Sequence, residues 1–213
     1  NLEELSKMIG FYNYTVILTY MSLISSSLGM IFAVNYRFKL ALLCLALSGL
    51  FDMFDGKVAR MKKNRTDDEK SFGIQLDSLC DAICFGAFPI LLSYLMGLQG
   101  PFGIAILLFY ITAGVIRLGY FNVMEIKRQE ETSENRKYYS GLPITSISVI
   151  LPLVSMLTGL VDYNYFPAVL HFTMLATGIL FIVNFKMPKP KNTTLGILIA
   201  IVAISLLKIF HVF

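Results

Sequence analysis

The chain alternates long apolar runs with short polar segments. Each of the seven runs has about the length, roughly 20 residues, that a helix needs to cross a bilayer. The runs lie at about residues 13–35, 39–61, 72–97, 102–124, 141–160, 164–185 and 193–212. Before them, Leu2, Leu5, Ile9 and Tyr12 share one face of a helical pattern, which predicts an amphipathic helix over residues 1–12 on the membrane surface. The pattern therefore predicts an all-α, polytopic membrane protein.

The composition is rich in apolar residues and poor in charge. Of the 213 residues, 56% are hydrophobic and 15% are charged, and the mean hydropathy is +0.68. Soluble domains carry about 25% charged residues. This composition argues against a secreted, disordered or nucleic-acid-binding protein, so we expect no nucleic acid among its partners.

Basic residues collect in alternate connections between the runs. Eleven of them fall at 62–71, 125–140 and 185–192, whereas the opposite side carries Arg37 and Lys39. The positive-inside rule places the side with more Lys and Arg in the cytoplasm. We therefore expect a multi-pass protein whose long charged connections face the cytoplasm.

Four aspartates interrupt the second and third apolar runs: Asp52, Asp55, Asp77 and Asp81. An Asp at the centre of a membrane helix costs about 2.5–3.5 kcal/mol on insertion scales, so such residues usually line a polar cavity or bind something. At about 1.5 Å per residue from the charged connection, Asp55 and Asp77 lie about 10 Å in, and Asp52 and Asp81 about 15 Å in. The spacing therefore predicts two facing levels of carboxylates that suit a hard cation completed by substrate phosphates. A set of buried structural carboxylates is the alternative.

Two small residues and a cation share a helix face with the first two aspartates. At 100° per residue, Asp52, Asp55, Gly56, Ala59 and Arg60 occupy an arc of about 140°. The small side chains leave room for a ligand against the backbone, and a guanidinium suits phosphate. Close packing of membrane helices is the alternative for the small residues.

These positions match a known motif. Asp52, Asp55, Gly56, Ala59 and Arg60, followed by Gly73, Asp77 and Asp81, fill all eight positions of D-x-x-D-G-x-x-A-R…G-x-x-x-D-x-x-x-D. The chain thus resembles the CDP-alcohol phosphotransferases over about residues 10–185, with a longer spacer between Arg60 and Gly73 than is usual. Residues 77–89, 116–123 and 141–143 are most similar to the membrane-embedded phosphatidylserine synthases of that family, with Tyr120 where an Arg is usual.

The resemblance implies a fold and an activity. Expected are a six-span catalytic core over residues 13–185, a homodimer, and an additional span at 193–212. Members transfer a phosphatidyl group from CDP-diacylglycerol, or its archaeal ether-linked counterpart CDP-archaeol, to an alcohol and release CMP. In this branch the alcohol is L-serine. Two divalent cations, Mg²⁺ or Mn²⁺, are implied in each active site.

The resemblance also implies roles for the motif residues. Asp52, Asp55 and Asp77, with Asp81 shared, are the implied cation ligands, and Asp81 is also the implied catalytic general base. The nucleotide-binding residues are Asp52, Gly56, Ala59, Arg60 and Gly73. Each of these roles is an expectation carried over onto a matching position.

Arg117 is the remaining charge deep inside an apolar run, at the same depth as Asp52 and Asp81. We predict that it holds the serine carboxylate or the transferring phosphate; an ion pair with one of the aspartates is the alternative. Asn122, Gly141 and Pro143 are further candidates for contact with the acceptor.

Three other functions compete with serine transfer. A cation transporter would need polar groups at successive depths across the whole bilayer, but the outer halves of the second and third runs are nearly uncharged. A membrane prenyltransferase would not need Gly56, Ala59 and Arg60 in their places after Asp55. Family members that use glycerol phosphate, inositol or inositol phosphate remain alternatives, although a phosphorylated acceptor favours more cations than Arg117.

Overall fold

The computed structural model describes residues 14–62, 66–131, 138–156, 165–188 and 192–211. Eight α-helices lie in this part of the chain, and a π-helical turn at Ala82–Ala87 joins the third to the fourth. The helices are α1 Ile17–Val34, α2 Phe38–Met61, α3 Asp67–Asp81, α4 Phe88–Leu95, α5 Pro101–Glu131, α6 Ile147–Ser155, α7 Phe166–Ile182 and α8 Asn192–His211. Short 3-10 turns precede α1 and α6.

Within the described ranges, four helical segments are long and apolar enough to cross a membrane: Ile17–Val34, Asp67–Leu95, Pro101–Arg128 and Thr193–Phe210. Shorter apolar helices lie at Ile144–Ser155 and Phe166–Ile182. Helix α2 has 24 residues and carries the first acidic pair in its second half. The predicted class, an all-α polytopic membrane protein, is confirmed. The predicted helix over residues 1–12 lies outside the described residues, and the division into a core and an additional span stays a prediction.

Helix α3 begins earlier than the apolar pattern predicts. We expected the third span to start at residue 72, but the helix starts at Asp67. The Thr66 hydroxyl accepts a hydrogen bond from the Glu69 amide, and the Glu69 carboxylate accepts one from the Thr66 amide. This capping box satisfies two backbone donors at the helix start, so the polar stretch before the span is helical.

Polar connections between the apolar runs contain ordered structure. Helix α5 continues to Glu131 instead of ending near residue 124, and an Arg128–Glu125 ion pair at 2.6 Å lies on this extension. Strand β1 (Tyr138–Ser140) pairs antiparallel with β2 (Lys186–Pro188). This short ladder ties the segment before α6 to the segment after α7.

Helices α1 and α2 pack against each other in antiparallel directions through buried hydroxyl groups. The Ser22 hydroxyl lies 2.7 Å from that of Ser48, and Ser26 donates to Ser48 at 2.8 Å. Ser25 donates to the Cys44 carbonyl oxygen at 2.8 Å. Hydroxyl pairs of this kind stabilise contacts between membrane helices, where the hydrophobic effect gives no driving force for association. They set the register of α1 against the acidic end of α2.

Candidate active site

Three aspartates from two neighbouring helices converge where α2 and α3 face each other. One carboxylate oxygen from each of Asp52, Asp55 and Asp77 lies within 4.8 Å of the others. Asp81, one helical turn beyond Asp77, contacts the Asp52 carboxyl group. Asp52, Asp77 and Asp81 are half-buried. The structure thus brings together all four aspartates that the motif singled out.

The donor set fits a hard divalent cation. Ligand oxygens on opposite sides of one Mg²⁺ lie about 4.2 Å apart, because each bond is about 2.1 Å long. The 4.8 Å limit for Asp52, Asp55 and Asp77 is close to that separation. Carboxylate oxygens are also the ligands that Mg²⁺ and Mn²⁺ favour. Small adjustments of the side chains would therefore let these residues share a cation.

Helix α1 adds a residue that the sequence analysis missed. The Thr19 hydroxyl donates a 3.1 Å hydrogen bond to Asp55 Oδ2 across 36 positions of the chain. Thr19 is buried. The sequence contains an indication of this contact. The spacing of Thr19, Ser22 and Ser26 places three hydroxyl groups on one face of α1.

The proposed nucleotide-binding residues lie next to the aspartates along the chain. Gly56 follows Asp55 on α2, and Gly73 lies one turn before Asp77 on α3; both are half-buried. Ala59 and Arg60 belong to α2, but their side chains lie outside the described part of the structure. Their roles therefore stay predictions.

Arg117 lies in a buried junction between α5 and the β ladder. It is 8% exposed, and its Nη1 donates to the Ser140 carbonyl oxygen at 2.6 Å. Gly141 adopts φ +72°, and a Cβ atom there would lie 3.1 Å from Arg117 Nη1 and 3.0 Å from the Val183 carbonyl oxygen. Pro143 caps the 3-10 turn that follows. The structure thus brings Arg117 and Gly141 together.

Asn122 lies beside the acidic helix. The Ser78 hydroxyl donates to Asn122 Oδ1 at 2.7 Å, one residue after Asp77. Further along the same pair of helices, the Tyr110 hydroxyl donates to the Phe85 carbonyl oxygen at 2.7 Å. Arg117 lies between these contacts on α5, as Asp81 lies between them on α3. Arg117 and Asp81 therefore both lie in the region bounded by these two contacts.

A sequence model of the CDP-alcohol phosphatidyltransferase family matches residues 12–183. The match runs from before α1 to just past the end of α7 and includes all four aspartates. The chain therefore belongs to the CDP-alcohol phosphatidyltransferase family.

Individual relatives refine the comparison. The chain is 28% identical over 207 residues to the CDP-diacylglycerol–serine O-phosphatidyltransferase of Helicobacter pylori, which covers 94% of this chain and 82% of the relative. It is 29% identical over 184 residues to the archaetidylserine synthase of Methanothermobacter thermautotrophicus, covering 86% and 72%. The Saccharomyces cerevisiae CDP-diacylglycerol–serine O-phosphatidyltransferase is 36% identical over 109 residues, 50% of this chain and 38% of that protein's length.

Proposed function

We propose that this protein transfers a phosphatidyl group from CDP-diacylglycerol, or from CDP-archaeol, to the hydroxyl group of L-serine and releases CMP. The observation that carries the proposal is the convergence of Asp52, Asp55 and Asp77 within 4.8 Å between α2 and α3. Family membership supports the CDP-linked donor. The names of the bacterial and archaeal relatives support serine as the acceptor.

Asp52, Asp55 and Asp77, with Asp81 shared, would hold two divalent cations, Mg²⁺ or Mn²⁺. When bound, such cations neutralise the diphosphate oxygens of the donor and the charge that develops on the CMP leaving group. The contact between Asp81 and Asp52 keeps the fourth carboxylate beside this cluster. Gly56, Ala59, Arg60 and Gly73, together with Asp52, would line the nucleotide.

Asp81 would act as the general base. A serine hydroxyl is a weak nucleophile, so a positioned carboxylate that accepts its proton helps the attack. The serine oxygen forms a bond to the phosphorus of the phosphatidyl group while the bond from that phosphorus to the CMP oxygen breaks. The hydroxyl proton passes to Asp81, and CMP leaves with the electron pair of the broken bond.

Arg117 would hold an anionic group of the reactants, either the serine carboxylate or the transferring phosphate. Three features support this role: Arg117 is 8% exposed, a carbonyl oxygen fixes its Nη1, and Arg117, like Asp81, lies between the two contacts that join α5 to the acidic segment. Gly141 lies beside Arg117, and together with Asn122 and Pro143 it would shape the acceptor site.

The active site would open to the cytoplasmic side of the bilayer. The bias of basic residues toward the connections at 62–71, 125–140 and 185–192 supports this orientation. A homodimer is the assembly expected from the family. The depth of the aspartates in the bilayer is consistent with this chemistry. A diphosphate bound near the level of the lipid headgroups leaves the acyl chains of the donor in the lipid.

The direct test is turnover by the purified chain with CDP-diacylglycerol, Mn²⁺ and a panel of acceptors. We expect CMP release and phosphatidylserine with L-serine, and loss of both after chelation of the metal. The panel includes glycerol phosphate, inositol and inositol phosphate. Turnover with inositol phosphate and none with L-serine would overturn the assignment of L-serine as the acceptor. Release of inorganic diphosphate from a prenyl diphosphate, with no CMP from CDP-diacylglycerol, would favour a prenyltransferase.

A further inference from the structure

The threonine of α1 that contacts the acidic cluster forms a different kind of hydrogen bond from three other threonines in the described helices. Thr112, Thr173 and Thr177 each donate to the carbonyl oxygen four residues earlier in their own helix. This local bond is the usual one for a threonine inside a helix. The Thr19 hydroxyl instead reaches across to Asp55 on α2. Its direction is therefore set by the contact between the two helices.

The neighbouring hydroxyl groups fix the register that makes this contact. Ser22 and Ser26 follow Thr19 on the same face of α1, and both bond to Ser48 on α2. Because the helices run in opposite directions, the register at Ser48 places Thr19 opposite the end of α2 that carries Asp55. The Thr19–Asp55 bond thus continues a row of buried hydroxyl contacts.

A hydrogen bond to one carboxylate oxygen restricts the orientation of the whole group. The terminal torsion of an Asp side chain is broad and roughly two-fold, so an unrestrained carboxylate samples many directions. Thr19 is 7% exposed and branched at Cβ, which limits its own rotation. A fixed hydroxyl on Asp55 Oδ2 therefore narrows the directions in which Asp55 presents its oxygens to Asp52 and Asp77.

We propose that Thr19 is a positioning residue for Asp55 and sets the affinity of the site for its divalent cation. This inference rests on the proposed function, because it takes Asp55 as a cation ligand. Groups that orient metal ligands through hydrogen bonds typically contribute about 10–100-fold to metal affinity. Thr19 would act through Asp55 and would not touch the substrate.

The test is direct binding of Mn²⁺ to the purified chain in phosphatidylcholine nanodiscs, without nucleotide or serine, followed by electron paramagnetic resonance. Thr19→Val keeps the shape and removes the hydroxyl, and we expect it to raise the Kd for Mn²⁺ about tenfold or more. Thr19→Ser keeps the hydroxyl and should stay close to the unsubstituted chain. Thr177→Val is the matched control, since Thr177 is a buried threonine that bonds within its own helix.

A second readout separates positioning from a loss of folding. The Mn²⁺ concentration for half-maximal CMP release should rise by the same factor in Thr19→Val, while kcat at saturating Mn²⁺ stays unchanged. The melting temperature without Mn²⁺ should match that of Thr177→Val. Unchanged Mn²⁺ affinity in Thr19→Val, with Asp55→Asn impaired, would overturn this inference alone. No Mn²⁺ binding by the unsubstituted chain would overturn the metal site, and this inference with it.

Discussion

The Tyr110 hydroxyl donates to the Phe85 carbonyl oxygen at 2.7 Å, within the π-helical turn at Ala82–Ala87. In this turn the Phe88 amide bonds the Ile83 carbonyl oxygen five residues earlier, and Pro89, the next residue, has no amide hydrogen to donate. The π turn at Ala82–Ala87 spans this point and begins directly after Asp81. Tyr110 on α5 thus supplies a side-chain donor to the turn that follows the acidic helix α3.

Removal of the Tyr110 hydroxyl should destabilise the fold. Tyr110→Phe leaves a buried carbonyl oxygen without its donor, which costs about 1–3 kcal/mol. Denaturant titration in detergent micelles measures this free energy of unfolding. Tyr94→Phe, at a tyrosine that is 40% exposed, is the control and should be nearly neutral.

A double-mutant cycle tests the role of Pro89 in this effect. Pro89→Ala restores a backbone amide, which donates to the Phe85 carbonyl oxygen when the turn adopts the α-helical register. Tyr110→Phe should then cost at least about 0.5 kcal/mol less in the Pro89→Ala background than in the unsubstituted chain. Equal costs in the two backgrounds would show that Tyr110 does not compensate for the proline.

Gly141→Ala should destabilise the junction that holds Arg117. An alanine at φ +72° costs roughly 1–2 kcal/mol, and its Cβ would lie 3.0–3.2 Å from two carbonyl oxygens and Arg117 Nη1. The free energy of unfolding should fall by at least that amount. Gly119→Ala is the matched control, since it lies in α5 with nothing within 4 Å of the new atom, and we expect a gain of about 0.5–1 kcal/mol there. Equal effects of the two substitutions would contradict this account of Gly141.

Substitution of Arg117 should weaken binding of an anionic substrate group. Arg117→Ala should raise the KM for L-serine or for CDP-diacylglycerol about 10–100-fold, because a charge-assisted hydrogen bond contributes about 1.5–3 kcal/mol. Arg117→Lys should recover only part of the loss, since an ammonium lacks the planar fork. Initial rates at varied serine and at varied donor distinguish the two substrates. An unchanged apparent affinity for both substrates would show that Arg117 does not contribute to substrate binding.

The four aspartates should separate into two kinetic classes. Asp81→Asn should lower kcat about 10²–10⁴-fold at saturating Mn²⁺, as expected for loss of a general base. Asp52→Asn, Asp55→Asn and Asp77→Asn should instead weaken Mn²⁺ binding and lose activity with it. Asp68→Asn, at an exposed position in the first turn of α3, is the control and should retain activity. The same kcat for Asp81→Asn as for the control would rule out its role as the base.

The placement of the aspartates could be predicted because it depends on local geometry. Asp52 and Asp55 lie three residues apart, Asp77 and Asp81 four apart, and a charged connection joins the two helices. Helical periodicity and antiparallel packing bring such positions to one level. The start of α3 was also encoded locally, in the capping box from Thr66 to Glu69, but the apolar pattern alone does not register polar helix turns.

The contacts that were missed depend on distant segments. Strands β1 and β2 have three residues each, are 46 or more positions apart, and show no alternating pattern that marks them as partners. Thr19 lies in an apolar run where a hydroxyl usually bonds its own helix. Its partner Asp55 becomes evident only once the register between α1 and α2 is known.

Crystals grown with CDP-diacylglycerol and Mn²⁺ test the central claim most directly. Anomalous diffraction from Mn²⁺ should show two peaks between α2 and α3, within bonding distance of Asp52, Asp55 and Asp77, with the nucleotide diphosphate beside them. Manganese elsewhere, or these carboxylates turned toward lipid while the nucleotide binds at another place, would contradict the account.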